Sequence, residues 1–501
     1  MDLLMRCSVL LLAMLLCSCE EIHRAETSSL PCSELVISPA GNAEPAPGSS
    51  PISTPGSATE PKALRLRYSG ESSHTYLGPG VSLYGQETRY LKRLQELRPR
   101  YVRLEAGPSW ASLEERLPDD PVLLESHIRK HFNAQDPTRL KRFQESFAFF
   151  QEHDIRVILI IYQQPYHWLQ NDYMKTLKPG AESKLVRLWV ALLEFFHSEG
   201  MPIDFVELAN EPEGNWNGHI PTQRYYEMVT EARKRFDRAG FSHVKIVGPG
   251  LSSLNLEGIP SRWIRAMPTA AEQSLAGFSL HAWDDVLTEV DDLDLMRQAW
   301  SPARQAFRRQ NPRKPIFITE YAREVSRRRD VRYYSPAKRA LFTASDTHEY
   351  AIQFIANTLI HLEQGAAVTL AWRLSDLNGD TSSWGLIRSP ERGGSNRPAF
   401  GAFRFLNQRL PVEAEVLKPR EPVTDATIAS VFLQKENSYT FAVANTGSAS
   451  RLLDLELLAG DQEMRLDVLL ENNQTCESLT LREGQLLRLP VFSVGVVQWS
   501  K

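Results

Sequence analysis

The sequence predicts an α/β protein: a closed (β/α)8 TIM barrel followed by a small C-terminal antiparallel β-sandwich. Two observations carry the prediction. Between about residue 80 and residue 408, short apolar runs alternate with amphipathic stretches, which is the pattern of repeated β-α units around a parallel sheet. Beyond Phe405-Leu406 the helical periodicity stops, and short β-like runs separated by polar turns take over.

Eight runs qualify as barrel strands: VSLY (81–84), YVRLE (101–105), IRVILII (155–161), DFVELA (204–209), VKIVG (244–248), GFSLH (277–281), PIFITE (315–320) and AVTLAW (367–372). Between them lie KLVRLWVALLEFFHSEG, YYEMVTEARKRFDRAG and HEYAIQFIANTLIHLEQG. Each has apolar residues three and four apart and ends at Gly, as helices do. The barrel is assigned to 63–408 and the sandwich to 409–501, with IASVFLQ, SYTFAVAN, LLDLELL, LTLREGQLLRL and VGVVQWS as its strands. ALRLRYS (63–69) precedes the first barrel strand and is a candidate additional strand.

The N-terminus reads as an export signal. Arg6 is followed by LLLAMLL, a run too short to span a bilayer, and the segment closes on Leu16-Cys17-Ser18-Cys19. The small residue before Cys19 resembles a bacterial lipobox, so residues 1–18 are expected to be a lipoprotein signal peptide and Cys19 the lipidated N-terminus. Glu20 in place of Asp favours an outer-membrane or surface position over inner-membrane retention in a Gram-negative source. Residues 19–62, rich in Pro, Ser, Gly and Ala, cannot bury enough apolar surface to offset their ordering entropy and are expected to form a disordered tether. Of five cysteines, Cys7 and Cys17 fall in the removed segment and Cys19 would be lipidated, which leaves Cys32 and Cys476 able to pair in an oxidising compartment.

A formal charge of −4 without a basic stripe argues against nucleic acid as partner. No metal or nucleotide cofactor is expected. His348-Glu349 lacks the second histidine of a zinc protease, Ser335 to Lys338 has the Ser-x-x-Lys spacing without its partner motifs, and Gly78-Pro79-Gly80 precedes a strand where a dinucleotide fingerprint would follow one.

In such a barrel the reactive groups sit at the C-terminal strand ends. There the sequence places Arg103 on the second strand, Asn210-Glu211-Pro212 after the fourth, His281-Ala282-Trp283 at the sixth, Thr319-Glu320-Tyr321 at the seventh and Trp372 at the eighth. Carboxylates on strands four and seven face each other, and a retaining glycosidase needs two at about 5–5.5 Å. Glu211 is the candidate acid/base, which calls for a raised pKa, and Glu320 the candidate nucleophile, kept ionised by Arg103 and the Tyr321 region. Trp110, Tyr162, Trp168, Trp216, Trp283 and Trp384 fall in loops or strand ends of the same face, where aromatic planes stack on sugar rings.

ELANEPEG, FSLHAWDD, FITEYARE and the final AWR with WGLI beyond it resemble the large clan A of retaining barrel glycoside hydrolases. The HAW turn, RPAFGAFRFLNQRL and the C-terminal β domain are most similar to the β-xylosidase-like family 39, with families 5, 30 and 51 open. The resemblance implies that Arg103, Asn210, His281 and Trp372 line the subsite of the reacting sugar, and that the chain hydrolyses O-glycosidic bonds of a poly- or oligosaccharide by double displacement. Two other functions use the same residues: a surface-tethered glycan-binding protein without activity, and a transglycosidase. Segment 321–345 has a local charge of +5, which would suit an acidic glycan; unchanged turnover of acidic substrates after replacing Arg327, Arg328 and Arg329 by Ser would remove that idea.

Overall fold

The computed structural model describes residues 31–37, 63–83, 87–105, 118, 120–132, 136–162, 164–255, 258–283, 292–322, 344–377, 383–456, 462–482 and 484–500. The signal segment with Cys19, most of the tether, Trp110 and basic residues 323–343 lie outside the described residues.

Two strands precede the barrel, β1 (Val36–Ile37) and β2 (Leu64–Tyr76). The barrel is closed by β3 (Gly78–Leu83), β4 (Tyr101–Glu105), β5 (Arg156–Ile160), β6 (Phe205–Glu207), β7 (Lys245–Leu251), β8 (Leu275–Ala282), β9 (Ile316–Tyr321) and β10 (Ala366–Ala371), with β10 pairing back onto β3. Each coincides with one of the eight apolar runs, and every ladder is parallel. Among the helices, α1 (Ala181–Ser198), α2 (Thr222–Arg238), α3 (Leu293–Gln310) and α4 (His348–Gln364) cover the outside.

Strand alternation sorts the barrel interior into layers. Tyr101, Ile158, Phe205, Val247, Phe317, Val368 and Leu370 form an apolar plug at the bottom. One step up the same strands, the inward positions turn polar: Arg103 above Tyr101, Glu207 above Phe205, Thr319 above Phe317. The plug supports the polar layer from below, and the C-terminal strand ends lie above it.

β9 departs from simple alternation. Against β8 the register runs Leu280 with Ile318 and then His281 with Glu320, and against β10 it runs Thr369 with Ile318 and then Ala371 with Tyr321. One extra residue on β9 is therefore accommodated by a bulge, a device that re-aims side chains. Thr319 and Glu320 both turn inward, and Tyr321 turns out toward α4.

The second domain continues with β11 (Ala414–Pro419), β12 (Ile428–Lys435), β13 (Ser438–Asn445), β14 (Arg451–Glu456), β15 (Met464–Leu469), β16 (Thr475–Leu481), β17 (Leu486–Leu489) and β18 (Ser493–Ser500). Strand order is β1-β17-β14-β2-β11-β12-β13-β18-β15-β16. β2 serves both layers: its first residues pair with β14 in parallel, and Tyr68 to Tyr76 pair with β11 antiparallel. The layers enclose Leu66, Tyr68, Phe432, Phe441, Leu453, Leu466 and Leu487.

Three details differ from the sequence-based division. Residues 64–76, assigned with the barrel as part of 63–408, belong to the sandwich, because the alternating LRLRY face is buried there. LTLREGQLLRL is not one strand: β16 pairs with β15, and β17 crosses to the other layer to pair with β14. Within the segment read as tether, residues 31–37 dock on the sandwich: Leu35 is fully buried, Val36 pairs with Leu487, and Cys32 is bonded to Cys476.

α4 joins the two domains. Nearly all its side chains are buried, because one face packs on the barrel and another meets Ala429, Val431, Ala442 and Ala444 of β12 and β13. Its first turn is capped by Thr347 Oγ1, which accepts from the Tyr350 amide, and His348 Nε2 donates to the Phe492 carbonyl at 2.7 Å.

Candidate active site

The polar layer is organised around Arg103, a β4 side chain with almost no solvent exposure. Its Nε donates to Glu207 Oε2 (2.8 Å), Nη1 to Tyr162 Oη (2.8 Å) and to Glu320 Oε1, and Nη2 to Asn210 Oδ1 (2.7 Å). One guanidinium thus spans β5, β6 and β9, a task its rigid fork suits. Glu207, fully buried on β6, also accepts from Ser279 Oγ (2.5 Å) on β8 and Thr319 Oγ1 (3.1 Å) on β9.

Above this layer stand Glu211 and Glu320. Glu320 accepts from Arg103, from Tyr162 Oη (3.1 Å) and, at its other oxygen, from Trp283 Nε1 (3.1 Å). Glu211 accepts from His281 Nδ1 (2.9 Å) at Oε1, and from Trp216 Nε1 and Asn217 Nδ2 (3.3 Å) at Oε2. His281 Nδ1 also lies 3.5 Å from Glu320 Oε2. One oxygen of Glu211, one of Glu320 and a nitrogen of His281 all lie within 4.8 Å of one another. No other such His/Cys/carboxylate group occurs among the described residues, and its atoms are already engaged in the hydrogen bonds given above.

Glu211 follows β6 in a tight turn. Its φ is +46°, in the left-handed region, which costs a non-glycine residue about 1–2 kcal/mol. The conformation is held by its amide donating to the Gly250 carbonyl (3.0 Å) and its carbonyl accepting from the Gly214 amide (3.0 Å). Trp216 lies over Gly214: a Cβ there would stand 2.3–2.5 Å from the indole ring. Gly214→Ala is therefore expected to displace the indole from Glu211, lowering kcat about tenfold with little change in Tm, as loss of one hydrogen bond to a charged group implies. An unchanged kcat in steady-state assays would show that the indole contributes nothing to Glu211.

The electrostatics of the pair are coupled. Burial pushes the Glu211 carboxyl up, but the hydrogen bond and charge of His281, the Trp216 N–H and the charge of Arg103 outweigh it and hold the group below its ordinary value. Burial pushes His281 down, and the charges of Glu320 and Glu211 with the Glu211 hydrogen bond carry it above its ordinary value, against Arg103. The expected raised pKa of the acid is thus not found, because the imidazole donates directly to it. For His281 the stabilisation is full below 6.5 and is lost as pH rises through the raised folded value; for Glu211 it is full above 4.5 and is lost as pH falls through the lowered one. The Tm advantage of the wild type over His281→Asn should accordingly peak between pH 4.5 and 6.5 and shrink on both sides; a flat difference across a calorimetric pH series would contradict the coupling.

Of the candidates, Arg103, Asn210, Glu211, Trp216, His281, Trp283 and Glu320 meet in one network. Trp372 joins through ring contacts with Tyr162 (5.6 Å) and Trp283 (6.5 Å), and Trp384 packs on Trp283 (5.7 Å). Tyr321 does not belong. Its ring stacks on Phe354 of α4 and its hydroxyl bonds Thr358 Oγ1 (2.7 Å), because the β9 bulge sends it outward. Trp168 is buried in the core cluster. Glu207, Ser279 and Asn217 are not singled out by the sequence reading, and Thr319 is met there only beside Glu320; the charge of Glu207 inside an apolar run is the available signal for the first.

A closed parallel barrel with buried carboxylates at the ends of its fourth and seventh strands, backed by a sandwich, is the fold of the clan A glycoside hydrolases. Residues 111–358 match the family model described as Cellulase (glycosyl hydrolase family 5). Solved structures share the fold: a family 30 endoxylanase from Clostridium papyrosolvens C71 (10% identity, TM-score 0.62, covering 88% of this chain and 100% of that one); a family 30 subfamily 8 xylanase from Clostridium acetobutylicum (12%, 0.59, 87% and 98%); and a family 51 α-L-arabinofuranosidase from Bifidobacterium longum (14%, 0.59, 88% and 99%). Families 5, 30 and 51 are thus the ones met, each left open by the sequence motifs beside family 39. A search of curated proteins finds no match.

Proposed function

We propose that the protein is a retaining glycoside hydrolase acting on a poly- or oligosaccharide. The observation that carries this is the approach of the two carboxylates: an oxygen of Glu211 and an oxygen of Glu320 lie within 4.8 Å. So close an approach of one oxygen pair supports double displacement, whose carboxyls stand roughly 5–5.5 Å apart, over inversion, whose carboxyls stand about 6.5–9.5 Å apart.

In the first step Glu320 attacks the anomeric carbon as the bond to the leaving oxygen breaks, and Glu211 protonates that oxygen. The proton is supplied by the Glu211–His281 pair, whose 2.9 Å hydrogen bond lets it pass from Nδ1 to the carboxylate. In the second step Glu211 takes a proton from water, the water oxygen attacks the same carbon, and Glu320 leaves with retained configuration. Asn210, fixed by Arg103, is placed to hold the hydroxyl beside the reacting carbon. We further propose export and lipidation at Cys19, tested by metabolic labelling with a fatty acid in the wild type and in Cys19→Ala; unlabelled wild-type protein would exclude it.

The test is hydrolysis of a panel of aryl glycosides and of neutral and acidic polysaccharides by the purified protein beside Glu211→Gln. Glu211→Gln is expected to lose about 10²–10⁴-fold on natural leaving groups and far less on activated aryl ones, which leave without a proton. A panel silent for the wild type with measurable glycan binding would instead support the tethered binding protein.

A further inference from the structure

We propose that Glu207 is a positioning residue of this reaction: it holds Arg103 from below and shares that cation with Glu320. The inference rests on the retaining reading for its kinetic arm, while its second readout is independent of activity.

The geometry is specific. Arg103 is pinned between two carboxylates on different strands, Glu207 at Nε and Nη2 (both 2.8 Å to Oε2) and Glu320 at Nη1. Glu207 itself is fixed by two hydroxyls from two further strands, Ser279 and Thr319. It also has no room to move on the β7 side, where a Cβ on Gly250 would stand 2.6 Å from its Oε1. Fully buried beneath the two catalytic candidates, it acts on the site through the groups it holds, Arg103 first among them.

Two consequences follow. A guanidinium held by Nε presents the same Nη1 and Nη2 to Glu320 and Asn210 in every cycle, so the attacking oxygen and the sugar-binding amide share one reference point. A cation already facing one carboxylate also stabilises a second one less than a lone cation would, which leaves the Glu320 oxygens reactive. The charged and titratable groups that interact with this centre include Arg103 on β4, Tyr162 beyond β5, Glu207 on β6 with Glu211 and Glu213 beyond it, Tyr225 on α2, His281 on β8 and Glu320 on β9.

The experiment compares wild type, Glu207→Gln and Glu207→Asp by the pH dependence of kcat/KM and by histidine NMR titration, with His281→Asn identifying the His281 resonance. Neutralising Glu207 leaves Arg103 uncompensated, so both limbs of the profile and the His281 midpoint should move to lower pH by about one unit, with kcat falling roughly 10–100-fold. Glu207→Asp retains the charge and should keep the limbs in place while losing kcat through displacement. Unmoved limbs and an unmoved His281 midpoint in a folded Glu207→Gln would overturn the proposal. If the wild type hydrolyses nothing on the panel, the retaining reading fails, and the His281 midpoint alone decides on Glu207. Should Glu207→Gln not fold, Ser279→Ala tests the same support without changing charge: a several-fold loss of kcat at constant KM is expected, and full activity overturns it.

Discussion

Glu320→Gln is expected to lower kcat/KM about 10⁴-fold or more on every substrate of the wild type, activated aryl glycosides included. The breadth of the loss is the diagnostic part. A missing proton donor is forgiven by a good leaving group, whereas a missing nucleophile is not. The amide oxygen of Gln can still accept from Arg103, Tyr162 or Trp283, so the variant should fold with a Tm within a few degrees of the parent. Glu320→Ala opens space on the same side of the sugar, and added azide should restore turnover with the glycosyl azide of inverted configuration as product. Retained configuration in that product, read by NMR, would assign Glu320 a different role.

Arg103→Met should be the most damaging change to the fold among the site residues, and as severe for catalysis. It leaves the carboxylate of Glu207 fully buried with only two hydroxyl partners, and breaking a buried ion pair from one side costs about 3–5 kcal/mol. Activity should fall about 10³-fold, because Glu320 and Asn210 lose their common anchor. The double variant Arg103→Met/Glu207→Met removes both charges together and should recover most of the stability in denaturant unfolding, with none of the activity. Recovery of activity along with stability would show that Arg103 matters only as a structural ion.

Much of this site is legible in the chain because each polar residue that closes an apolar run stands at a strand end. Glu211, His281 and Glu320 are readable in that way, as is Arg103 in the middle of YVRLE. What is not readable is register. Tyr321 sits beside Glu320 in sequence and points to the opposite side because one residue is bulged on β9, a fact set by pairing with β8 and β10. Glu207 is hidden for a related reason: it lies within DFVELA, and only the inward row of the closed barrel shows that its neighbours are Arg103, Ser279 and Thr319. In the second domain, the alternation of β2 announces a strand but cannot say which sheet receives it. The Leu35 anchor is buried in a segment whose average composition is that of a tether.

The Cys32–Cys476 bond and the short β1–β17 pairing alter how load would travel through the molecule. A pull on the chain upstream of Cys32 enters the sandwich through a covalent link to β16, ahead of the backbone path that leads to β2. The barrel strands lie off that path. The domain that contributes no residue to the network around Arg103 is then the mechanical mount of the barrel, which is joined to it by the one-residue link from β2 to β3 and by the packing of α4.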